Sequence, residues 1–531
     1  MRSLELELYQ KRLRKYVSAA PFAAFAKMIW AVNAIQSERV TAGSKHIQFP
    51  KEAATTDPLS KYKVHGWDLE DLWGEYFATR HKRLRKGGPN KILNCTHWDT
   101  FCNVFNTLKG MQNAESGVIL REANVLHEMP KIMFRQLDWQ RGFFTAQNFY
   151  RTAFLFGGPL AQEHFLKTVG VSFEQYTKTV FALYAHFRDR PILNKKINGK
   201  LIGVSSEELA LVVDHISATP RQITNIARAL KSRYPYASQR PSVLRRAPII
   251  QMGANNDLIC CPLIDVLAWR ITEGLYYDTV GDDGALRNEI SGRFEEYCKM
   301  LLDAETSSFE INGERLYRIS KKRELRTPDI LLRKNGRLRV VLECKQRRMS
   351  FDAVFEPKND ANEVPGIEEI IKGVFQLWRF FSHVRRGFVQ DECLSDSVVG
   401  VVLTLDPWLV MTRGRYEHIL AEAKKLVRER EPEIEDQDMR DVTFCYVKDF
   451  ESLLARASDD TLLSTFGIAA SDEFAGWLLQ SVHQNQFPDQ NERKPFPFQD
   501  KLAEVLPWWD KNEDELRISG RKNSGQPENE A

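Results

Sequence analysis

One short stretch, residues 326–348, holds the side chains best suited to chemistry: two carboxylates, a lysine and several arginines. It reads RTPDILLRKNGRLRVVLECKQRR, and the Asn-Gly pair at 335–336 predicts a tight turn between two strands. Strand alternation places Glu343 and Lys345 on one face and the Cys344 side chain on the other. An acid and a lysine two residues apart, at the end of an apolar strand, are candidates for acid–base or metal-assisted chemistry.

The register of this hairpin decides whether Asp329, on the first strand, meets Glu343 on the second. A two-residue loop with regular pairing would place Asp329 opposite Leu342, on the wrong face. A three-residue loop, or a one-residue bulge, pairs Asp329 with Glu343 and brings the two carboxylates together. We therefore predict the longer loop or the bulge.

Two interpretations of this cluster remain open on spacing alone. Adjacent carboxylates repel each other and need a counter-charge, which Mg²⁺ supplies while keeping other positions for water and phosphate oxygens. Lys345 beside that ion would orient or deprotonate the attacking water. The alternative is a surface hairpin with an incidental Glu343–Lys345 ion pair, which contributes about 0.2–1 kcal/mol.

The surrounding elements are predicted in the order α-β-β-β-α-β, as part of an α/β fold with a mainly helical N-terminal domain. Periodicity and turn residues predict a helix over 287–304, strands near 315–320, 327–332 and 338–344, a helix over 366–386 and a strand over 398–405. The predicted domains are a mainly helical one over 1–246, connecting strands and a helix over 247–285, the αβββαβ domain over 286–484, and a polar, partly disordered tail over 485–531.

The order Pro328-Asp329, then Glu343-Cys344-Lys345 after a turn, preceded by an acidic helix, resembles the PD-(D/E)xK nuclease superfamily. The resemblance covers roughly residues 287–450, about a third of the chain. It implies a restriction-endonuclease-like core in which Asp329 and Glu343 bind Mg²⁺ or Mn²⁺. It also implies that Lys345 is the catalytic lysine and that the backbone carbonyl of Cys344 is a further metal ligand.

The same resemblance adds candidates on two helices. Many members take a glutamate from the first core helix, where Glu295 lies nearer the predicted apolar stripe than Glu296. The helix after the strands carries Gln376, followed one turn later by Phe380. This pair is similar to the QxxxY element of RecB-like members, with phenylalanine in place of tyrosine, and it implies that Gln376 contacts nucleic acid. Both residues are predicted on the side opposite that helix's apolar stripe.

Charge is distributed unevenly along the chain. The whole protein has a net charge of +4, which is too small to identify a nucleic-acid binder, whereas residues 321–348 carry +8. We predict that Arg326, Arg347 and Arg348 contact phosphates. Two further basic stretches, 80–91 and 221–246, have two readings: nucleic-acid contacts, or ordinary solvated faces and linkers.

Composition excludes several classes of protein. Hydrophobic residues make up 43% and charged residues 27%, as in globular proteins, and no apolar run is long enough to span a membrane. The eight cysteines form no CxxC pair, which favours a reduced, cytoplasmic protein over a disulfide framework or a zinc site. No P-loop or Rossmann fingerprint is present.

The predicted function is therefore metal-dependent endonucleolytic hydrolysis of phosphodiester bonds. DNA is the expected substrate, by analogy with the superfamily, and RNA is left open. Restriction or antiviral (anti-phage) defence is the expected context, and a protein partner or a homo-oligomer is compatible with it. Two alternatives stay open: a catalytically silent nucleic-acid-binding scaffold, and a DNA-cutting component of a mobile element that acts only with a partner.

Overall fold

The chain forms two compact units in the computed structural model. One comprises Met1–Gly281 with Lys501–Ala531, and the other comprises Asp282–Asp500. The structure describes residues 2–81, 92–122, 135–140, 142–143, 145–196, 204–253, 255–279, 284–346, 366–405, 413–490 and 492–509. The mixed α/β class and the helical N-terminal region are confirmed.

The first unit is mainly helical. Three of its helices begin with a capping box, at Ser172, Ser205 and Thr219, in which side chains satisfy the first free N–H groups of the helix. The helices with defined bounds are α1 (Arg2–Ser18), α2 (Phe22–Ile35), α3 (Val40–Gly43), α4 (Gly66–Ala78), α5 (Trp98–Glu122), α6 (Ala146–Phe156), α7 (Pro159–Thr168), α8 (Phe173–Asp189), α9 (Ser206–Ile216), α10 (Pro220–Arg233), α11 (Val243–Arg246), α12 (Ile264–Arg270) and α13 (Tyr276–Thr279).

A small sheet also belongs to this unit. Its strands are β1 (Ile192–Asn194), β2 (Ser217–Ala218), β3 (Ile249–Met252) and β4 (Leu258–Cys260), in the order β1-β4-β3-β2. The sequence assigned β3 and β4 to a connecting segment over 247–285. They pair instead with strands from 192–218, so the contacts place residues up to 281 in the first unit.

Acidic residues of α4 are buried in ion pairs. Glu75 bonds Arg240 at 2.8 Å, and Glu70 bonds Arg245 at 3.3 Å, with both arginine side chains no more than 4% exposed. Buried charges of this kind need their partners. These two arginines of the basic stretch 221–246 therefore stabilise the fold and are not available to phosphates, whereas residues 82–91 of the other basic stretch lie outside the described residues.

The second unit contains the elements around the candidate residues. In chain order its helices are α14 (Gly284–Glu305), α15 (Ile367–Arg385), α16 (Arg413–Arg430), α17 (Val447–Leu454), α18 (Asp459–Ala469) and α19 (Leu479–Gln486). Its strands are β5 (Glu310–Gly313), β6 (Leu316–Ser320), β7 (Arg323–Arg326), β8 (Ile330–Lys334), β9 (Arg337–Lys345), β10 (Leu394–Thr404) and β11 (Val442–Tyr446).

Five of these strands form one mixed sheet in the order β11-β10-β9-β8-β5. The pairs β11/β10 and β10/β9 are parallel, while β9/β8 and β8/β5 are antiparallel. The predicted strand near 315–320 is present as β6, but it is not part of this five-stranded sheet. That run pairs with β7 in a separate hairpin, and Glu310–Gly313 takes its place. Both runs are short and partly polar, so alternation could not tell which one pairs with β8.

The predicted C-terminal tail is divided between the two units. Residues 485–500 of the predicted tail belong to the second unit, and 501–509, with helix α20 (Leu502–Val505), belong to the first; residues 510–531 lie outside the described part.

Among the described residues no single helix has the length and hydropathy of a membrane span, although Leu4–Ser18 and Phe22–Ile35 reach that level together across a 110° bend. All eight cysteines are free thiols, and six of them are buried.

Candidate active site

The hairpin between β8 and β9 combines a tight turn with a bulge. Asn335 and Gly336 have φ angles of 56° and 74°, as a two-residue hairpin turn requires. The pairing then shifts by one residue, which leaves Arg339 as the extra residue of a bulge. Beyond the shift Ile330 pairs with Leu342, and the same register places Asp329 opposite Glu343. The predicted bulge is confirmed.

Lys345 is held by two partners at the end of β9. Its Nζ lies 2.7 Å from Glu343 Oε1 and 3.0 Å from Gln376 Oε1. The Lys345 side chain is 16% exposed and that of Glu343 is 5% exposed, so this pair is buried, unlike the exposed pair of the alternative interpretation. Burial acts to lower the pKa of Lys345, but the carboxylates of Glu343, Asp329 and Glu369 together outweigh it, and the pKa is raised. The lysine is therefore an ammonium, suited to orienting water and offsetting charge.

Asp329 completes a group of three carboxylates. Its Oδ2 accepts a hydrogen bond from the Cys344 backbone N–H at 2.6 Å, which connects it to the same strand end. Burial, followed by the nearby charges of Glu343 and Glu295, raises the pKa of Asp329 well above its usual range. Burial also raises the pKa of Glu343, against the opposing effect of Lys345. The three carboxylates are close enough to repel one another.

Helix α14 turns Glu295, and not Glu296, toward the site, as its apolar stripe predicts. Glu295 is partly buried and accepts a hydrogen bond from Ser291 Oγ at 3.3 Å, whereas Glu296 is exposed. Burial, and then Glu314, raises the pKa of Glu295. Glu314 is an acid that the sequence analysis missed. It lies between β5 and β6, outside any motif, and binds Arg326 Nη1 at 2.5 Å.

The two faces of β9 meet different helices. The Cys344 thiol lies beside that of Cys298 on α14, while Glu343 and Lys345 face α15, as alternation predicts. Gly373 permits the close approach of α15, because a Cβ there would lie 3.3 Å from Lys345 Cε and 3.6 Å from Glu343 Cγ. The role of the Cys344 carbonyl as a metal ligand stays a prediction.

The placement of Phe380 is a correction. We predicted it beside Gln376 on the side away from the apolar stripe, but it is 1% exposed. Its ring packs against that of Tyr317, with ring centroids 6.5 Å apart. The β6–β7 hairpin covers this position, and nothing local in the sequence indicates that cover. Gln376 remains partly exposed at the site.

Arg379, one turn beyond Gln376, is a second residue to which the sequence analysis gave no role. Its guanidinium lies over the ring of Phe375, at 5.6 Å from the centroid, and its charge lowers the pKa of Glu343. Its Nε is buried without a hydrogen-bond partner in the described part of the chain. An unsatisfied buried donor is costly in a fold, and the Arg379 side chain as a whole is only partly buried beside the carboxylates.

Much of the positive charge of 321–348 is neutralised within the fold. Arg347 and Arg348 lie outside the described residues, so their predicted phosphate contacts are not described. Of the other nine bases, five form ion pairs with acids, four of them from outside the stretch: Arg323 with Glu431, Arg326 with Glu314, Arg333 with Glu392, Lys334 with Asp460 and Lys345 with Glu343. The local net charge is therefore well below the +8 counted along the sequence.

The side chains of this site offer carboxylate oxygens, the ligands that hard cations such as Mg²⁺ prefer. In the described ranges no three His, Cys, Asp or Glu side chains are grouped tightly enough to hold a metal ion, and Glu343 is hydrogen-bonded by Lys345. Asp329 and Glu343 nevertheless offer oxygen ligands at adjacent positions, and the pKa of Asp329 is raised by burial and then by neighbouring carboxylate charge, which a divalent cation would offset. These two residues fit Mg²⁺ or Mn²⁺, with Glu295 beside them.

Comparison of the chain with protein-family models, with curated proteins and with solved structures finds no match. The site is therefore interpreted from its own geometry.

Proposed function

We propose that the second unit has a restriction-endonuclease-like core and that this protein is a Mg²⁺-dependent nuclease acting on DNA. The observation that carries the proposal is the convergence of Asp329, Glu343 and Lys345 at one end of two paired strands. The order of α14, three sheet strands, α15 and β10 supports the same interpretation. Restriction or anti-phage defence is the proposed context.

Each side chain has a role that follows from its surroundings. The Lys345 ammonium orients the attacking water and offsets charge that develops on the phosphate. Gln376 fixes the position of that ammonium through its hydrogen bond. Arg379 is partly exposed beside the carboxylates, and its guanidinium donates to a non-bridging phosphate oxygen.

Asp329 and Glu343 are the proposed ligands of Mg²⁺, and Glu295 assists them. When bound, the cation supplies Lewis-acid polarisation of the phosphodiester. Its charge also relieves the repulsion among the three carboxylates. Mn²⁺, which accepts the same oxygen ligands, is expected to substitute for it.

The direct test incubates the full-length protein with circular plasmid, linear duplex, single-stranded DNA and RNA. We expect cleavage of DNA in Mg²⁺ or Mn²⁺, and no cleavage in EDTA. The closed circle distinguishes an endonuclease from an enzyme that needs ends. Asp329→Asn and Lys345→Met should each lower the rate by about 10²-fold or more. Lys299→Met, which removes a surface ion pair on α14, should cut normally.

A matched pair of variants on α14 tests the helix phase. Glu295→Gln should slow metal-dependent cleavage because it removes a carboxylate near Asp329. Glu296→Gln should leave the rate unchanged, since that side chain is exposed. The reverse ranking would contradict the proposed arrangement of the acids.

A second candidate is a scaffold that binds nucleic acid without cutting it. One observation favours it: the Glu343 carboxylate, a proposed metal ligand, is already hydrogen-bonded by the Lys345 ammonium at 2.7 Å. A scaffold should bind DNA with a steep salt dependence, yet show no Mg²⁺-induced rise in its unfolding temperature. A nuclease that requires a partner should show that rise even where the isolated chain does not cut.

A further inference from the structure

A cavity in the first unit is a candidate ligand site of its own. It has a volume of about 170 Å³ and is lined by α2, by the chain entering α4, by Trp139 and by Asp265 of α12. Pockets for drug-sized ligands are about 300–1,000 Å³. The cavity is therefore suited to a single ring system and not to a whole nucleotide.

Two opposite charges line this cavity without meeting. Asp265 accepts a hydrogen bond from Asn33 Nδ2 at 3.1 Å, and Asn33 is in turn held by Arg39 Nη2 at 2.7 Å. Lys63 is partly buried and forms no ion pair within 4.0 Å in the described part of the chain. The cavity thus offers an acceptor at Asp265 and a donor at Lys63, and Arg39 already offsets part of the Asp265 charge.

Gln36, which also lines the cavity, serves the protein itself. Its amide nitrogen donates to the carbonyls of Ala53 and Tyr62, and its oxygen accepts from the Val64 N–H at 2.9 Å. These bonds hold the chain that carries Lys63. Gln36 therefore shapes the cavity and leaves recognition to Asp265 and Lys63.

Aromatic walls complete the cavity and are held in place. Trp67 stacks on His65 with ring centroids 4.2 Å apart and an interplanar angle of 6°. The Trp139 indole N–H donates to Glu70 Oε1 at 2.6 Å. A Cβ at Gly66 would lie 2.1 Å from the Trp139 ring, so the indole rests directly on the backbone there. Such preorganised rings favour a flat, polarisable ligand.

We infer that this cavity binds a nucleobase through a guanine-type edge. The ring N–H and the exocyclic amino group donate to the Asp265 carboxylate, and the ring carbonyl accepts from the Lys63 ammonium. The indole rings pack against the base, as aromatic side chains do in nucleobase sites. A base supplies these donors and this acceptor with no net charge, which matches the partly offset charge of Asp265. A free nucleoside and a base of a nucleic-acid strand present the same chemistry.

Isothermal titration calorimetry of the full-length protein tests this inference without measuring cleavage, so it stands or falls separately from the nuclease proposal. The ligands are guanosine, inosine and a single-stranded thymine oligonucleotide with one guanine. We expect the guanine ligands to bind, and guanosine to bind about tenfold more tightly than inosine, which lacks the amino donor. Lys63→Met and Asp265→Asn should each weaken binding by about tenfold or more.

Lys61→Met is the matched control, because Lys61 is exposed and lies over Tyr62, outside the cavity lining. Thermal unfolding reports whether the Asp265→Asn protein remains folded. If it does not, Lys63→Met still tests recognition of the same edge of the base, because Lys63 is only partly buried. Binding of the oligonucleotide alone identifies a strand as the source of the base, and binding of guanosine identifies a free nucleoside as sufficient. Three results would each overturn the inference. One is unchanged binding in Lys63→Met, and another is no binding of either guanine ligand at millimolar concentration. The third is a preference of the protein for free arginine over guanosine.

Discussion

Replacing Lys345 by methionine tests the buried ion pair at the centre of the site. Methionine keeps a straight, unbranched side chain and removes the ammonium that bonds Glu343 at 2.7 Å and Gln376 at 3.0 Å. The Glu343 side chain is only 5% exposed, so the lost partner leaves a largely buried carboxylate. Lys345 holds the pKa of Glu343 down, and this pKa should rise further in the variant.

The size of the effect follows from burial. Removing one member of a buried ion pair costs about 3–5 kcal/mol, and protonation of Glu343 limits the loss, so we expect about 3 kcal/mol at pH 7. The second unit spans Asp282–Asp500. For a unit of this size, 1 kcal/mol shifts the unfolding temperature by about 2–4 °C, so its transition should fall by about 6–12 °C.

Differential scanning calorimetry of the full-length protein measures this shift. The cost of an ionised Glu343 is present above its raised pKa and disappears as the pH falls through it, so the loss should shrink in acid. Adding Glu343→Gln to Lys345→Met should restore most of the stability, because it removes the buried Glu343 charge that has lost its partner. Lys299→Met is the control, since its pair with Asp303 is about 36% and 46% exposed and should contribute less than about 1 kcal/mol.

The result that would refute this reasoning is a double variant as unstable as the single one. A Lys345→Met transition unchanged at pH 7 would refute it equally, because the pair would then be solvated.

Three further predictions concern neighbouring positions. Asp329→Asn should raise the stability of the second unit by about 1 kcal/mol at pH 7, because it removes repulsion while an amide oxygen can still accept from the Cys344 N–H. The raised pKa of Asp329 makes this gain shrink as the pH falls through it, and calorimetry over a pH series measures both effects. Gly373→Ala should keep or raise stability, as alanine favours helices, but should slow cleavage by about tenfold, because its Cβ crowds Lys345 Cε. Arg379→Gln should weaken DNA binding by about tenfold and lower the slope of log K against log salt by about 1, as measured by fluorescence anisotropy over a salt series.

Each of these has an outcome that contradicts it. A destabilised Asp329→Asn protein would show that the carboxylate is stabilised in the fold and not repelled. A Gly373→Ala enzyme with the wild-type rate would show that α15 does not position Lys345. An unchanged salt slope in Arg379→Gln would show that this guanidinium does not reach phosphate.

Local features of the fold were predictable from the sequence. Alternation and the Asn-Gly turn limited the hairpin to a few registers, and the bulge was predicted among them because it brings the Asp329 and Glu343 carboxylates together. The phase of α14, which turns Glu295 inward and Glu296 outward, followed from its apolar stripe. These predictions depend on periodicity within one element, which a single sequence records.

Other features were decided by contacts between segments far apart in the chain. The β6–β7 hairpin covers Phe380, against our prediction, and the run near 315–320 is not part of the main sheet. Along the sequence Arg333 adds positive charge near the site, yet in the fold Glu392 neutralises it from 59 residues away. Spacing along the chain contains no record of such pairings.

The sequence by itself thus determined which residues could do chemistry and which strand face they share, because alternation and turn geometry act over a few residues. Only the tertiary structure decided their electrostatic state. It buried Glu343, set Gln376 against Lys345, and left the Arg379 Nε without a partner in the described part of the chain. Burial and long-range pairing set the energy of a charge, and both arise only when distant segments pack together.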